Sequence, residues 1–396
     1  MEWKKVKIGD CCDITSSKRF HLSERTHTGV PFYCTKEIIQ KLRGDKKIDC
    51  DYIPEDLYLD IKKKFGVPTK DDLLLTTRGT IGIPYLYKDT DRFYFADGNL
   101  SWFRKFNDYL NPNYLYYWFL SPNGRFCVNS IAVGTAQKAV PIAGLMNLPI
   151  FLPPLPYQRR ISSILSDYDS LIENYQRQIS LLEESAKRIY KEWFVDFKFP
   201  GVEMAENGLP KGWQKKKLGE ICEITFGQSP ESQYYNTEQL GLPFHQGVGT
   251  YGDRFPYTEV YTKKYNKVAE ANSILFSVRA PVGRLNITTE KVAIGRGLAA
   301  INHYTNKQSF LYYLLKQSFF RENIIGNGAI FASVNKEELS RFEIIEPSDN
   351  AVSFFEEVVG DIDTQIKSLT SQIRLLRQNR DILLPRLMNG EIEIEG

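Results

Sequence analysis

Two stretches of this chain carry apolar residues in a four-three spacing, and both keep the same register. In the middle of the chain the positions are Ile161, Leu165, Tyr168, Ile172, Tyr175, Ile179, Leu182, Ala186, Ile189 and Trp193. Near its end they are Phe355, Val359, Ile362, Ile366, Leu369, Ile373, Leu376, Leu383 and Leu387, with Arg380 opposite Ala186 as the departure. A spacing of this kind over more than four heptads is the a/d seam of a coiled coil. Two seams related by a constant offset of 194 residues pair most economically with each other. Two unrelated amphipathic helices, each packed on its own neighbour, would leave the shared register without a cause. A pair with two further helical partners is the other arrangement the pattern allows.

The ends of these helices have their own signals. Pro154 and Pro156 precede the first seam and set its start. Pro385 is expected to bend or end the second helix about a turn before Gly390. Asp167 and Asp361, with Asp169 and Asp363, are read as lying near the first turns, where carboxylates suit the helix dipole.

The seams belong to a larger duplication. "WKKVKIGDCCDIT" (Trp3 to Thr15) matches "WQKKKLGEICEIT" (Trp213 to Thr225) at seven of 13 positions. "LLLTTRGTIG" from Leu73 matches "ILFSVRAPVG" from Ile274, and "YLYY" from Tyr114 matches "FLYY" from Phe310. A glycine loop follows in each half, around Gly134 and Gly328. The repeat is half the chain, too long for a solenoid, and so reads as a duplicated two-part module. The first part of each half is mixed α/β. Its β-rich runs "DLLLTT", "RFYFA" and "KVAI" are broken by Gly, Pro and Asn, and one helix follows each set, "PNYLYYWFLS" and "QSFLYYLLKQSFF".

Charge sorts along the same divisions. Residues 1–156 carry a net +5 and 197–350 a net +2, whereas 157–196 carry −1 and 351–396 carry −3. The positive excess lies outside the helical segments, a mild sign of a polyanionic partner for the globular parts. Six cysteines form no C-x-x-C pair, and four scattered histidines complete no zinc spacing, so no metal and no cofactor is expected. Free thiols point to a reducing, cytoplasmic setting. No run approaches the ~18 apolar residues of a membrane span, and "MEWKKVKIGD" lacks the apolar stretch of a signal peptide.

Four phrases, in this order and with the duplication, resemble the DNA-specificity subunit of type I restriction–modification systems. They are "LPIFLPPLPYQRRISSIL" (Leu148 to Leu165), "YKEWFVDFKFPG" (Tyr190 to Gly201), "GLPKGWQKKKLGEI" (Gly208 to Ile221) and "LLPRLMNGEI" (Leu383 to Ile392). The second half has "IEPSDNAVSFFEEV" where the first has its proline–glutamine lead. The resemblance implies an α+β chain with an internal pseudo-two-fold repeat. Target-recognition domains at 1–153 and 201–348 alternate with spacer helices at 154–200 and 349–396, paired as a long antiparallel coiled coil. It further implies a non-catalytic subunit whose two domains each read one half of a bipartite DNA target. Its implied partners are two adenine-methyltransferase subunits and, in the full complex, motor–nuclease subunits. The first seam spans 33 residues, roughly 50 Å of helix, on the order of 15 base pairs of duplex.

Base readout needs forked donors and amides, and phosphate contact needs lysines. The candidates in the first domain are Arg78, Gln137 and Lys138 for bases, with Lys18, Arg19, Lys36, Lys46 and Lys47 for phosphates. In the second they are Arg279, Arg284, Gln228, Gln246 and Arg254, with Lys263 and Lys264 for phosphates. Arg78 and Arg279 are repeat-equivalent, and each either reads DNA or braces its loop through a carboxylate. Tyr116, Tyr117, Tyr312 and Tyr313 read as core, and "IKKKFG" from Ile61 as an exposed face. "GVGTYG" from Gly247 lacks the helix a dinucleotide site requires, "NPNY" from Asn111 reads as a helix start, and "DIKKK" from Asp60 is near chance as a nuclease signature. Two rival classes stand beside the resemblance: a catalytic DNA enzyme (nuclease or adenine methyltransferase) with an unrecognised site, and a coiled-coil adaptor binding only proteins.

Overall fold

A computed structural model describes residues 3–392 apart from 45–46, 136 and 320–332, and for Leu22 the backbone alone. The chain divides into two compact units, residues 1–174 with 372–396 and residues 175–371.

In the first unit, strands Asp13–Thr15, Leu100–Arg104, Leu73–Thr76 and Pro84–Leu86 lie side by side in that order, all antiparallel. A second sheet holds Val30–Tyr33 between Asp51–Ile53 and Tyr94–Phe95, the last pairing being parallel. The second unit repeats this plan. Its antiparallel sheet runs Cys222–Phe226, Leu298–His303, Ile274–Ser277 and Leu285–Ile287, and Leu242–His245 lies parallel to Val292–Ile294 in a five-stranded sheet. The sequence duplication is thus a duplication of topology. Each domain is closed by a strand pair just ahead of a long helix, Lys4–Lys7 with Pro149–Leu152 and Gln214–Lys217 with Glu343–Glu346.

The run of leucines at 73–75 has no polar alternation because both faces of that strand are covered. Leu73 and Leu75 pack with Phe103 and Phe119, while Leu74 faces Tyr85, Phe93 and Trp102. "NPNY" does begin a helix, Pro112–Leu120, whose cap Asn111 accepts a hydrogen bond from the Tyr114 amide at 3.1 Å. Its counterpart is Gln308–Phe319, and in these helices Tyr117, Tyr312 and Tyr313 are buried and Tyr116 half-buried.

The long helices are Leu155–Tyr190 and Asp349–Met388. All nineteen seam positions are buried or half-buried. Within the first unit Ile161 and Leu165 share a core with Leu384, Leu387 and Met388. Within the second unit Ala186 and Tyr190 pack with Ala351, Phe355 and Val359, the Tyr190 and Phe355 rings meeting edge to face at 5.8 Å. In each unit the early part of one helix therefore meets the late part of the other. Arg380, the break in the seam, places a guanidinium nitrogen 2.5 Å from Asp169, so the departure is an ion pair.

Three sequence expectations are corrected. Asp167 and Asp169 lie more than three turns into a helix that starts at Leu155, and Asp361 and Asp363 lie as deep in one that starts at Asp349, so none serves the helix dipole. Asp169 and Asp363 instead accept the buried hydroxyls of Tyr117 (2.7 Å) and Tyr313 (3.1 Å). Pro385 does not end the second helix; it lies in the last turn, which continues to Met388. The stop comes from Gly390, at φ +70°, with Glu391 N bonded to Arg386 O and Gly390 N to Leu387 O. The third correction, Arg254, belongs to the site below.

Gln158 explains the lead of the first helix. Its side-chain oxygen accepts from Asn111 N at 2.9 Å, and its amide nitrogen donates to Tyr109 O and Pro153 O. The second half lacks this glutamine, and Glu356 takes the same kind of bond, from Phe310 N at 2.7 Å. Burial pushes the Glu356 carboxyl up, against the hydrogen bonds from Phe310 and Ser309. Among the described residues no helix is long and apolar enough to cross a membrane.

Candidate nucleic-acid interface

The repeated "TTRG" and "SVRA" segments end equivalent strands and turn in the same way. Gly82 N donates to Thr76 O and Gly283 N to Ser277 O, with both glycines at φ of 80–85°. The backbone of Arg78 bridges Ala139, and that of Arg279 bridges Ser333. Both side chains are exposed, and among the described residues neither guanidinium has a hydrogen bond or ion pair. Among the described residues neither loop has a carboxylate brace.

In the first unit several candidates converge. Arg78 and Arg19 line one cleft of about 350 Å³ with Arg25, Asp97 and Asn99. Gln137 and Lys138 are exposed on the hairpin whose Ala139 and Val133 exchange backbone bonds beside Arg78. Gly134 makes that hairpin possible: at φ +98°, a Cβ there would stand 2.6 Å from Gln137 O. Lys36 opens the helix Thr35–Arg43, where the Thr35 hydroxyl donates to Arg78 O at 3.1 Å. Lys18 is exposed with its ammonium 5.1 Å above the Phe65 ring. Lys47 is exposed on the loop after that helix, and Lys46 lies outside the described residues. Arg25 was not singled out from sequence. It is ion-paired to Asp51 at 2.7 Å and stacked on Phe32, and no local motif marks it.

The second unit splits its candidates. Gln228 and Gln246 are exposed at one end of their strands, and Arg284 is exposed just after the Gly283 turn. Lys263 and Lys264 follow Thr262, which pairs with Leu242, so they lie at the end of that strand opposite Gln246. Lys264 is further engaged, 5.0 Å over the Tyr234 ring. The loop around Gly328 lies outside the described residues.

Arg254 is the correction. It is only 3% exposed, far from the availability a groove contact demands. One guanidinium nitrogen stands 2.6 Å from Asp363, an ion pair off that nitrogen's hydrogen-bonding direction, and another donates to the Tyr313 hydroxyl at 3.1 Å. The guanidinium also lies 4.4 Å from the Tyr312 ring centre and 3.8 Å from Glu183. Burial disfavours the charge, but Tyr312, Tyr313 and Asp363 outweigh it and the net direction of its pKa is up. In the first unit the equivalent aspartate, Asp169, takes Arg380 instead. The sequence could not separate a surface arginine from this one, because the partners lie 59 and 109 residues away.

The decoys resolve locally. "GVGTYG" holds a single turn, Val248–Thr250, with no helix after it. "DIKKK" is an exposed pair, Asp60 with Lys64 at 2.8 Å. His245, at the end of a parallel strand, is buried; its Nδ1 meets the Thr250 hydroxyl at 2.8 Å, and burial lowers its pKa to about 4.

The fold defines a duplicated module, two like domains that each present an exposed arginine on an equivalent turn. The chain belongs to the type I restriction modification DNA specificity domain family, whose model matches residues 1–184 and 210–372. It is 28% identical to a Methanocaldococcus jannaschii chain assigned as the MjaX type I restriction enzyme specificity subunit, over all of this chain and 94% of that one. It is also 28% identical to the MjaIX specificity subunit of the same organism, with the same coverage. The crystal structure of a type I restriction–modification S subunit from M. genitalium shares its fold, with a TM-score of 0.64 over 98% of this chain and 96% of that one, at 16% identity. Both of the M. jannaschii relatives are named as specificity subunits of type I restriction enzymes.

Proposed function

We propose that this chain gives a type I complex a bipartite target. Each recognition domain reads one short duplex segment, and the two long helices pair antiparallel as a coiled coil that sets the unread gap. The observation that carries the reading is the repeated loop: Arg78 and Arg279 stand exposed and unpaired, among the described residues, on the same turn of the same sheet in both halves. Exposed guanidinium groups on a fixed backbone are the donors that base edges and phosphates accept. Helices of 36 and 40 residues supply ~54 and ~60 Å of rise, enough for a gap of several base pairs. The boundaries 1–153, 154–200, 201–348 and 349–396 are the corresponding division into readers and spacers. Adenine-methyltransferase subunits would modify the target, and motor–nuclease subunits would join in a restricting complex.

The test is co-purification with a methyltransferase subunit followed by mapping of methylated adenines. Two specified segments at fixed separation are expected. Methylation without any common split motif would refute the proposal.

A further inference from the structure

One turn of the second domain is built with more care than a solvent loop needs. Three segments converge there: the chain after Phe226, the chain after His245, and the turn Gly295–Gly297 that joins two strands. Gly227 N donates to Leu298 O, Gln228 N to Ile294 O, Gly295 N to His245 O and Gly297 N to Gln246 O, at 2.9 to 3.2 Å. The approach admits only glycine. A Cβ would stand 2.3 Å from Gly295 O at Gly227, 2.5 Å from Gln246 Oε1 at Gly295 and 2.6 Å from Gln246 O at Gly297.

Two polar side chains stand on this platform. The Ser229 hydroxyl donates to Gln246 Oε1 at 2.8 Å and accepts from Arg296 N at 3.2 Å. With its oxygen so engaged, the exposed Gln246 amide keeps its NH2 as a donor. Arg296 is exposed, its backbone is pinned on both sides, and among the described residues it has no hydrogen bond or ion pair through its side chain. This contrasts with Arg254, whose guanidinium is consumed inside the same unit. A guanidinium fork carried on a pinned backbone beside an anchored amide suits a ligand edge with closely spaced acceptors. In duplex DNA that edge is guanine, whose N7 and O6 face the major groove.

We propose that Arg296 is a specificity-determining residue of the second recognition domain, donating to a guanine in its half-site while Gln246 donates to the neighbouring base. The proposal rests on the bipartite reading above and names the residue that carries one of its halves. The corresponding turn of the first domain holds the opposite chemistry. Ala96 N bonds Tyr33 O as Gly295 N bonds His245 O, and Asn99 O accepts from Thr77 N as Gly297 O accepts from Val278 N. Between those anchors stands Asp97, an acceptor fixed by the Ser16 hydroxyl at 2.7 Å.

The experiment uses the full chain in complex with its methyltransferase partner. Methylated motifs are mapped for the native chain, Arg296→Ala and Arg296→Lys, and initial methylation rates are compared on duplexes with and without the guanine. Discrimination at one guanine of one half-site should fall by about 10- to 100-fold for Arg296→Ala. Arg296→Lys, which keeps the charge and loses the fork, should relax the same position while holding overall binding. The other half-site and the gap should not change. A native complex with a split motif that both variants leave intact overturns the assignment of Arg296 alone. A native complex with no split motif removes the reading beneath it.

Discussion

At the scale of single residues, exposure and partners separate the arginines more sharply than sequence position does. Arg254 is the buried extreme, and its removal would leave Asp363 facing Tyr313 without a counter-charge. Arg254→Ala should therefore destabilise the second unit by about 3–5 kcal/mol in urea unfolding, and Arg254→Met with Asp363→Leu should recover much of that loss. A loss below ~1 kcal/mol would show that the pair holds nothing. His245 supplies a pH test. Its folded pKa of about 4 lies below the ordinary histidine value of 6.5, so the unfolded chain binds the extra proton between those values. Stability should be complete above pH ~6.5 and fall by roughly 3 kcal/mol as pH drops to ~4. His245→Gln should flatten that slope, and an unchanged slope would assign it to other groups.

At the scale of elements, the seams were legible because every a/d position apart from Arg380 is an apolar or aromatic residue that is buried or half-buried, and periodicity records burial directly. The starts of the helices were legible too, Pro154 and Pro156 marking the first, and Leu155 and Asp349 begin them within a residue of the expected bounds. What failed was the placing of carboxylates, counted from the first seam residue instead of from those starts. That error carried Asp167, Asp169, Asp361 and Asp363 to the wrong turn. The exposed, equivalent placement of Arg78 and Arg279 was legible because a repeat marked their turn. The settings of Arg25, Asp97 and Arg296 were not, because they depend on strands distant in sequence. Gly390 closes the second helix with Trp3 2.9 Å from where its Cβ would be. Gly390→Ala should thus lower stability by at least ~1 kcal/mol through strain at φ +70° and a displaced Trp3, read as a shift in the urea midpoint. A midpoint unchanged within error would contradict the assigned cap. The spacer offers a bolder element test. One heptad added within Ser180 to Lys187, with a heptad opposite it in the second helix, keeps the seam and adds ~10 Å of rise. The unread gap should grow by about three base pairs with both half-sites intact; altered half-sites at a constant gap would sink the ruler.

At the scale of the whole molecule, each domain carries its own sheets and its own closing strand pair. Under the proposed bipartite reading, exchange of residues 1–153 for another recognition domain should change one half-site only. The opposed chemistry of Asp97 and Arg296 on equivalent turns implies that the two half-sites differ in sequence. The most direct measurement of this account is single-molecule mapping of methylated adenines made by the full chain with its methyltransferase partner. The account predicts one motif of two dissimilar specified segments separated by a fixed run of unspecified bases. A single contiguous motif, or methylation scattered without a common motif, would contradict it.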